Sequence, residues 1–142
     1  MEPLYVAHAV SSGEGRNGHV ATSDGIIDLD LALPKELGGA GGKANPELLF
    51  AAGYAACFHS ALQSIARQAK LDLGASEVQA SVGIGKEGEG FGLSAILEVS
   101  IPGQPRATAR ELVDKAHEYC PYSRATRGNI QVEIDLVQAA GE

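Results

Sequence analysis

Residues Asn45 to Lys70, NPELLFAAGYAACFHSALQSIARQAK, form the longest apolar, helix-patterned segment of the chain. Asn45 suits a helix N-cap, Pro46 the first helical position, and Glu47 places a carboxylate at the positive end of the helix. Apolar or small residues recur at helical spacing: Leu49, Phe50, Gly53, Tyr54, Cys57, Phe58, Ala61, Leu62, Ile65, Ala66 and Ala69. No charged or strongly polar side chain interrupts Leu48–Phe58, and a helix apolar all round is expected to be buried. Beyond Phe58, Ser60, Gln63, Ser64, Arg67 and Gln68 return on one side, so the second half is expected to surface. Ala51, Ala52, Gly53, Ala55 and Ala56 leave little bulk, so another backbone can approach closely. Cys57 lies in the middle of this helix.

The 142-residue chain suits one domain over 1–142 with a real core. Its 44% hydrophobic content is ordinary, and 5% aromatic residues without Trp point to an aliphatic core. A net charge of −7 without a basic cluster argues against nucleic acid or an anionic membrane as partner. The Leu48–Phe58 run falls short of the roughly 20 apolar residues of a membrane span. No basic segment followed by an apolar one opens the chain, so a cytoplasmic location is expected. In that reducing compartment two cysteines are expected to form a transient bridge at most, not a permanent staple.

Leu4–Val10 reads as a first strand, followed by the turn-rich Ser11–Gly18, which holds Arg16. His19–Ser23 and Ile26–Leu31 flank Asp24-Gly25, a two-residue hairpin signal, with Ile27, Leu29 and Leu31 alternating on one face. The glycine-rich Leu37–Lys43 lacks Walker A spacing, since Ala44 follows Gly42-Lys43 and Leu37 occupies the position of the first glycine. Gly83–Gly88 matches a GxGxxG pattern, but strands lie on both sides of it, so it reads as a hairpin turn. Those strands carry Val78, Ala80, Val82, Ile84 and Leu93, Ala95, Leu97, Val99, Ile101 on single faces, as expected of antiparallel sheet. Thr108 with Glu111 reads as a capping box opening a second helix. Its stripe is Leu112, Val113, Ala116 and Cys120, and Pro121 follows it directly. Ile130, Val132, Ile134 and Leu136 make a last strand. The class is α+β.

A cysteine on an apolar helix is ordinarily a small core residue. Here both cysteines fall on core-facing stripes of the two substantial helices, and a disulfide would need their Cα atoms within about 7 Å. Reactivity requires thiolate, which an apolar mid-helix site disfavours. Cys57 lies about three turns from its helix N-terminus, beyond much help from the helix dipole. A cation must come from elsewhere if Cys57 is a nucleophile. Arg16 is by composition a solvated loop residue, yet it can supply that charge, and Glu47 can clamp its guanidinium bidentately. Glu47 and Cys57 are ten residues apart, roughly 15 Å along an unbroken helix. If both act at one site, Glu47 must come from a neighbouring subunit, which predicts a homodimer. His59 points away from Cys57, whereas His117 and Cys120 are i, i+3 and can meet, the seed of a rival hydrolase reading that no acyl-transfer signature supports. Cys57, Cys120, His8, His19, His59 and His117 show no zinc-ligand spacing.

Three segments together resemble a known family: Asn45-Pro-Glu-Leu-Leu-Phe-Ala-Ala-Gly-Tyr-Ala-Ala-Cys57-Phe, Ala116-His-Glu-Tyr-Cys120-Pro-Tyr-Ser and Ala125-Thr-Arg-Gly-Asn-Ile130. They are similar to the organic hydroperoxide resistance proteins, a branch of the larger group that includes the osmotically inducible, OsmC-like proteins. Gly15–Gly18, Ser23–Gly25 and Glu36–Gly42 extend the likeness over nearly the whole chain; Arg124 departs from it, where the branch often has Asn. The resemblance implies antiparallel sheets wrapped around a long buried helix in an intertwined homodimer. It implies a thiol peroxidase without bound cofactor or metal, acting on organic, including lipid-derived, hydroperoxides in the response to oxidative stress. By the same resemblance Cys57 is the peroxidatic cysteine, Cys120 the resolving one that forms a disulfide with it, and Arg16 and Glu47 the activating pair. The external reductant it implies is dihydrolipoamide or a lipoylated protein. Two alternatives stand beside it: an osmotically inducible-type peroxidase with another substrate balance, and a non-catalytic dimeric binding module. Phe50, Tyr54 and Tyr122 are pocket candidates by proximity in sequence.

Overall fold

In the computed structural model, which describes residues Met1–Glu142, the central stretch forms helix α1 (Pro46–Gln68). Asn45 caps it, its Oδ1 accepting the Leu48 amide at 2.8 Å. The other end closes as a Schellman motif: the Leu71 amide donates to the Ala66 carbonyl at 2.9 Å and the Lys70 amide to Arg67 at 3.1 Å. Lys70 sits at φ +58°, the left-handed position that such a cap requires and that glycine usually fills. Tyr54, Phe58, Ala61, Leu62 and Ala66 form the buried face of α1. The Leu48–Phe58 half is less enclosed than its composition predicts: Leu48, Ala52 and Ala56 are exposed, because nothing in the chain packs against that side. By length and composition α1 would be apolar enough to cross a membrane, so the shorter run expected above understates it.

The chain divides into two compact units, Met1–Leu49 and Phe50–Glu142. In the first, strands β1 (Ala9–Ser12), β2 (His19–Thr22) and β3 (Asp28–Asp30) form an antiparallel sheet in the order β1-β2-β3. The first strand begins later than expected. Its ladder can run only as far as β2 offers partners, which ends at Ala9 opposite Thr22. The Asp24-Gly25 hairpin is also wider than two residues. Thr22 pairs with Ile27, and Asp24 Oδ1 holds the Ile26 amide at 3.0 Å and the Thr22 hydroxyl at 2.7 Å. Leu31 and Ala32 are buried in this unit, whereas Leu4, Tyr5, Val6, Val10 and Ile26 stand exposed.

The second unit adds β4 (Glu77–Glu87), β5 (Gly90–Ile101), α2 (Arg106–Tyr119), α3 (Pro121–Thr126) and β6 (Gln131–Ala139). The sheet order is β4-β5-β6. β4 and β5 pair antiparallel, as the alternation predicts. The expectation of wholly antiparallel sheet fails at β6, which runs parallel to β5. The crossover through α2 and α3 returns the chain in the same direction, the connection a parallel pair needs. An extra residue in β6 opposite Val99/Ser100 shifts the alternation, so Ala139 is buried where Gln138 would otherwise have been. The capping-box expectation also fails: α2 starts at Arg106 with Pro105 before it and no side-chain cap, leaving Thr108 inside the first turn. Leu97, Val99 and Ile101 of β5, Phe58 and Leu62 of α1, and Leu112, Val113 and Ala116 of α2 share one core. Each large side chain among them contributes about 1.5–3 kcal/mol by burial. Cys120 belongs to this core and Cys57 packs against it.

Candidate active site

Arg16 sits in a 3-10 turn, Gly15–Asn17. The turn is held shut around Gly18, where a Cβ would lie 2.1 Å from the Ser12 carbonyl, so only glycine fits without moving backbone. Asn17 Oδ1 accepts the Leu33 amide at 3.0 Å, and the Gly18 carbonyl accepts Leu31 at 2.9 Å. From this turn the Arg16 guanidinium reaches Glu47 in a two-pronged pair, Nη1 to Oε2 at 2.8 Å and Nη2 to Oε1 at 2.7 Å. Glu47 keeps 12% of its side-chain surface and Arg16 37%, so the pair is partly shielded while the cation stays accessible. Hydrogen bonding from Arg16 pulls the Glu47 carboxyl below its usual range, against the effect of burial, and the same bond raises Arg16. Two of the five guanidinium N–H donors are engaged; the others remain for a further anion.

In the second unit Cys57 of α1 meets Cys120 at the junction of α2 and α3. Their sulfurs are 3.4 Å apart, with Cys120 donating to Cys57, and both are free thiols. That is contact distance, about 1.4 Å longer than an S–S bond. Cys120 is fully buried and Cys57 partly so. Burial pushes the Cys57 thiol up; the Tyr122 backbone amide opposes this, and Cys120 raises it further. No cation contributes within this environment.

The Tyr122 amide is a functional group that residue-type reasoning missed. Pro121 occupies the first position of α3, so the Tyr122 N–H is one of the donors every helix start leaves unsatisfied. The Pro after Cys120 was the available signal. The position of α3 is fixed from below. The buried Tyr54 hydroxyl hydrogen-bonds Ser123 Oγ at 2.8 Å and Thr126 Oγ1 at 3.1 Å. Gly53 lets the Tyr122 ring lie against α1, since a Cβ there would stand 3.2 Å from it. Phe50, Tyr54 and Tyr122 cluster with ring centroids 5.9–6.2 Å apart. Phe50 and Tyr122, with Leu93, Ala125, Thr126, Asn129 and Ile130, line an apolar cleft of about 420 Å³. Tyr54 lies fully buried behind them.

Neither His59 nor His117 is hydrogen-bonded to a thiol. His59 Nε2 bonds Ser76 Oγ at 2.9 Å. His117 Nδ1 is buried without a partner, and burial, then Arg127, lowers its pKa. The Cys120 thiol is directed at Cys57, so the His117–Cys120 pairing of the hydrolase reading does not form through Nδ1. The structure thus brings Arg16 to Glu47 and Cys57 to Cys120, one pair in each unit.

An α+β scaffold that sets two unbonded thiols in contact, one under a helix-start amide, defines a dithiol protein suited to thiol redox chemistry. A sequence model described as OsmC-like protein matches residues 39–135. The organic hydroperoxide resistance protein of Xanthomonas axonopodis pv. citri (strain 306) is 53% identical over 135 residues, 94% of each chain. A solved organic hydroperoxide resistance protein, OsmC, of Legionella pneumophila is 47% identical with a TM-score of 0.91, over 98% of this chain and 99% of that one. OhrB of Bacillus subtilis is 41% identical with a TM-score of 0.84, over 94% of this chain and 99% of that one. The chain belongs to the OsmC-like family, in its organic hydroperoxide resistance branch.

Proposed function

We propose that this protein is a two-cysteine thiol peroxidase that reduces organic hydroperoxides, including lipid-derived ones, to alcohols. The observation that carries the reading is the 3.4 Å contact between Cys57 and Cys120 in the free-thiol state. Cys57, as thiolate, attacks the peroxide oxygen distal to the organic group; the O–O bond breaks, the alkoxide takes a proton, and an alcohol leaves. Cys57 is then a sulfenic acid. The Cys120 sulfur displaces its hydroxyl as water and closes an intramolecular disulfide before a second peroxide can over-oxidise Cys57. A dihydrolipoyl dithiol, free or on a lipoylated protein, returns both thiols and leaves as the lipoyl disulfide. The chemistry needs no bound cofactor or metal.

The raised Cys57 pKa supports a division of labour. Cys57 alone is a poor source of thiolate, so a cation must stabilise it and the charge developing on the peroxide. Arg16, held in place by Glu47, is that cation. Because α1 runs unbroken through both Glu47 and Cys57, the Arg16–Glu47 pair of one subunit serves Cys57 of its partner in a homodimer. The cleft beside Tyr122 accepts the organic tail, which favours R–OOH over hydrogen peroxide. A cytoplasmic setting keeps the cysteines reduced between turnovers. The names of the relatives favour this branch over an osmotically inducible-type balance. The test is stopped-flow oxidation of the reduced protein by cumene hydroperoxide. Both thiols are expected to vanish in one fast event, and thiols that persist would overturn the reading.

A further inference from the structure

Three residues beyond Arg16 the sequence places His19, which neither the expected chemistry nor the core uses. It opens β2 opposite Asp30 of β3. Its ring lies between two carboxylates of that strand: Nδ1 is 2.8 Å from Asp30 Oδ1 and Nε2 is 2.6 Å from Asp28 Oδ1. An ionised carboxylate only accepts hydrogen bonds, so both contacts are satisfied together only when both ring nitrogens carry protons. The arrangement is therefore built for imidazolium. The segment it grips, Asp28 to Leu33, is the one that receives the turn carrying Arg16, through Leu31 to Gly18 and Leu33 to Asn17. The β2–β3 ladder has only three residue pairs, and its strand residues are half or wholly exposed, so burial does little to hold it.

We propose that His19 is a positioning residue for Arg16: its imidazolium fastens the strand after the arginine turn to Asp28–Leu33 and so holds the guanidinium on Glu47. This rests on the role given to Arg16 above. The charged groups around His19 are Asp28 and Asp30 on β3, with Lys43 acting on Asp30 from the loop before α1; its register partner on β1 is the uncharged Ser12. The bond to Asp30, then that to Asp28, raises the His19 pKa above its ordinary value. A raised folded pKa means the clamp is complete below the unfolded value of about 6.5 and is lost as pH rises through the folded value. Arg16 is then held less firmly on the alkaline side.

The experiment compares oxidation rates by cumene hydroperoxide from pH 5.5 to 9 in wild type, His19→Gln, His19→Arg and Arg16→Ala, with the His19 pKa measured by NMR. Taking each variant as a ratio to wild type at the same pH removes the common titration of Cys57. The His19→Gln ratio is expected to be about 0.1 at pH 6, short of the 10²-fold that a 1 Å misplacement can cost. It should rise to 1 as pH passes the measured His19 pKa. His19→Arg, a permanent cation between the same carboxylates, is expected to match wild type at pH 6 and exceed it at pH 9. Ratios that stay flat with pH while Arg16→Ala is slow would overturn the positioning role alone. An Arg16→Ala variant as fast as wild type would overturn both this role and the mechanism beneath it.

Discussion

At the residue level, the proposed chemistry divides between a charged pair, Arg16–Glu47, and a thiol pair, Cys57–Cys120. Arg16→Ala is expected to slow oxidation of Cys57 by roughly 10²–10³-fold, the usual loss when a group stabilising developing charge is removed, with the fold unchanged by circular dichroism. An unchanged rate would remove Arg16 from the mechanism. Glu47 has a depressed pKa, so its pair with Arg16 is complete above the unfolded value and fails only as pH falls through the lower folded one. Within pH 5–8 Glu47 should therefore add no pH dependence, whereas Glu47→Gln should slow the reaction throughout that range. Cys120→Ser is expected to reach a Cys57 sulfenic acid with one equivalent of peroxide and sulfinic acid only with a second, visible as one and then two added oxygens in intact mass; normal turnover would refute the resolving role. The two pairings were legible in part, since Glu47 could clamp Arg16 and both cysteines lie on core stripes. By residue type alone, however, Arg16 reads as a solvated loop residue and each cysteine as core, and the four roles came from the family resemblance. The Tyr122 amide was not legible, since a backbone donor leaves no residue type to notice. His19 was seen only as a histidine without zinc spacing, because its partners depend on β2–β3 register.

Among the elements, α1 was read almost to its ends because its N-cap and its 3.6-residue period agree. Its C-terminal cap escaped notice because Lys70 holds a position where glycine is the usual signal. Lys70→Gly should relieve the left-handed strain and raise stability by about 0.5–1 kcal/mol, roughly 2–3 °C in Tm; a loss on thermal denaturation would contradict the Schellman assignment. Of the two glycine-rich decoys, Leu37–Lys43 leads through a loop, whereas the turn expected over Gly83–Gly88 shrinks to Gly88-Glu89. Gly83–Glu87 continue β4 in register with β5, because the ladder runs to the last pair that the hairpin leaves. The direction of β6 was not legible, because alternation in Ile130–Leu136 specifies a buried face and not which way the strand runs. The helix α3 depends on a buried hydroxyl network. Tyr54→Phe leaves Ser123 Oγ without its partner and should cost about 1–3 kcal/mol in urea denaturation. The same change should loosen the Tyr122 amide and raise the Cys57 pKa further. An unaltered Cys57 titration would mean that α3 is held by packing alone.

For the whole molecule, apolar surface is the feature to explain. Leu4, Tyr5, Val6, Val10 and Ile26 are exposed in one unit, and Phe91 in the other, with the small-residue side of α1 also open. Exposed apolar surface rimmed by polar residues marks an interaction site, and a second copy of this chain is the occupant that the proposed mechanism requires. Light scattering is expected to give twice the 14.7 kDa chain mass at micromolar concentration, and a monomer that retains full peroxidase activity would contradict the shared site. Composition indicated an α+β chain with an aliphatic core and a buried central helix. It did not show that Leu48, Ala52 and Ala56 stay uncovered within one chain, because an all-apolar run does not say which of its sides is packed. The most direct test of the central claim is a free-thiol count with intact mass after one equivalent of cumene hydroperoxide, set beside hydrogen peroxide. The account predicts loss of both thiols with a mass decrease of two hydrogens, faster for the organic peroxide. Two thiols still titrating after the organic peroxide would contradict it.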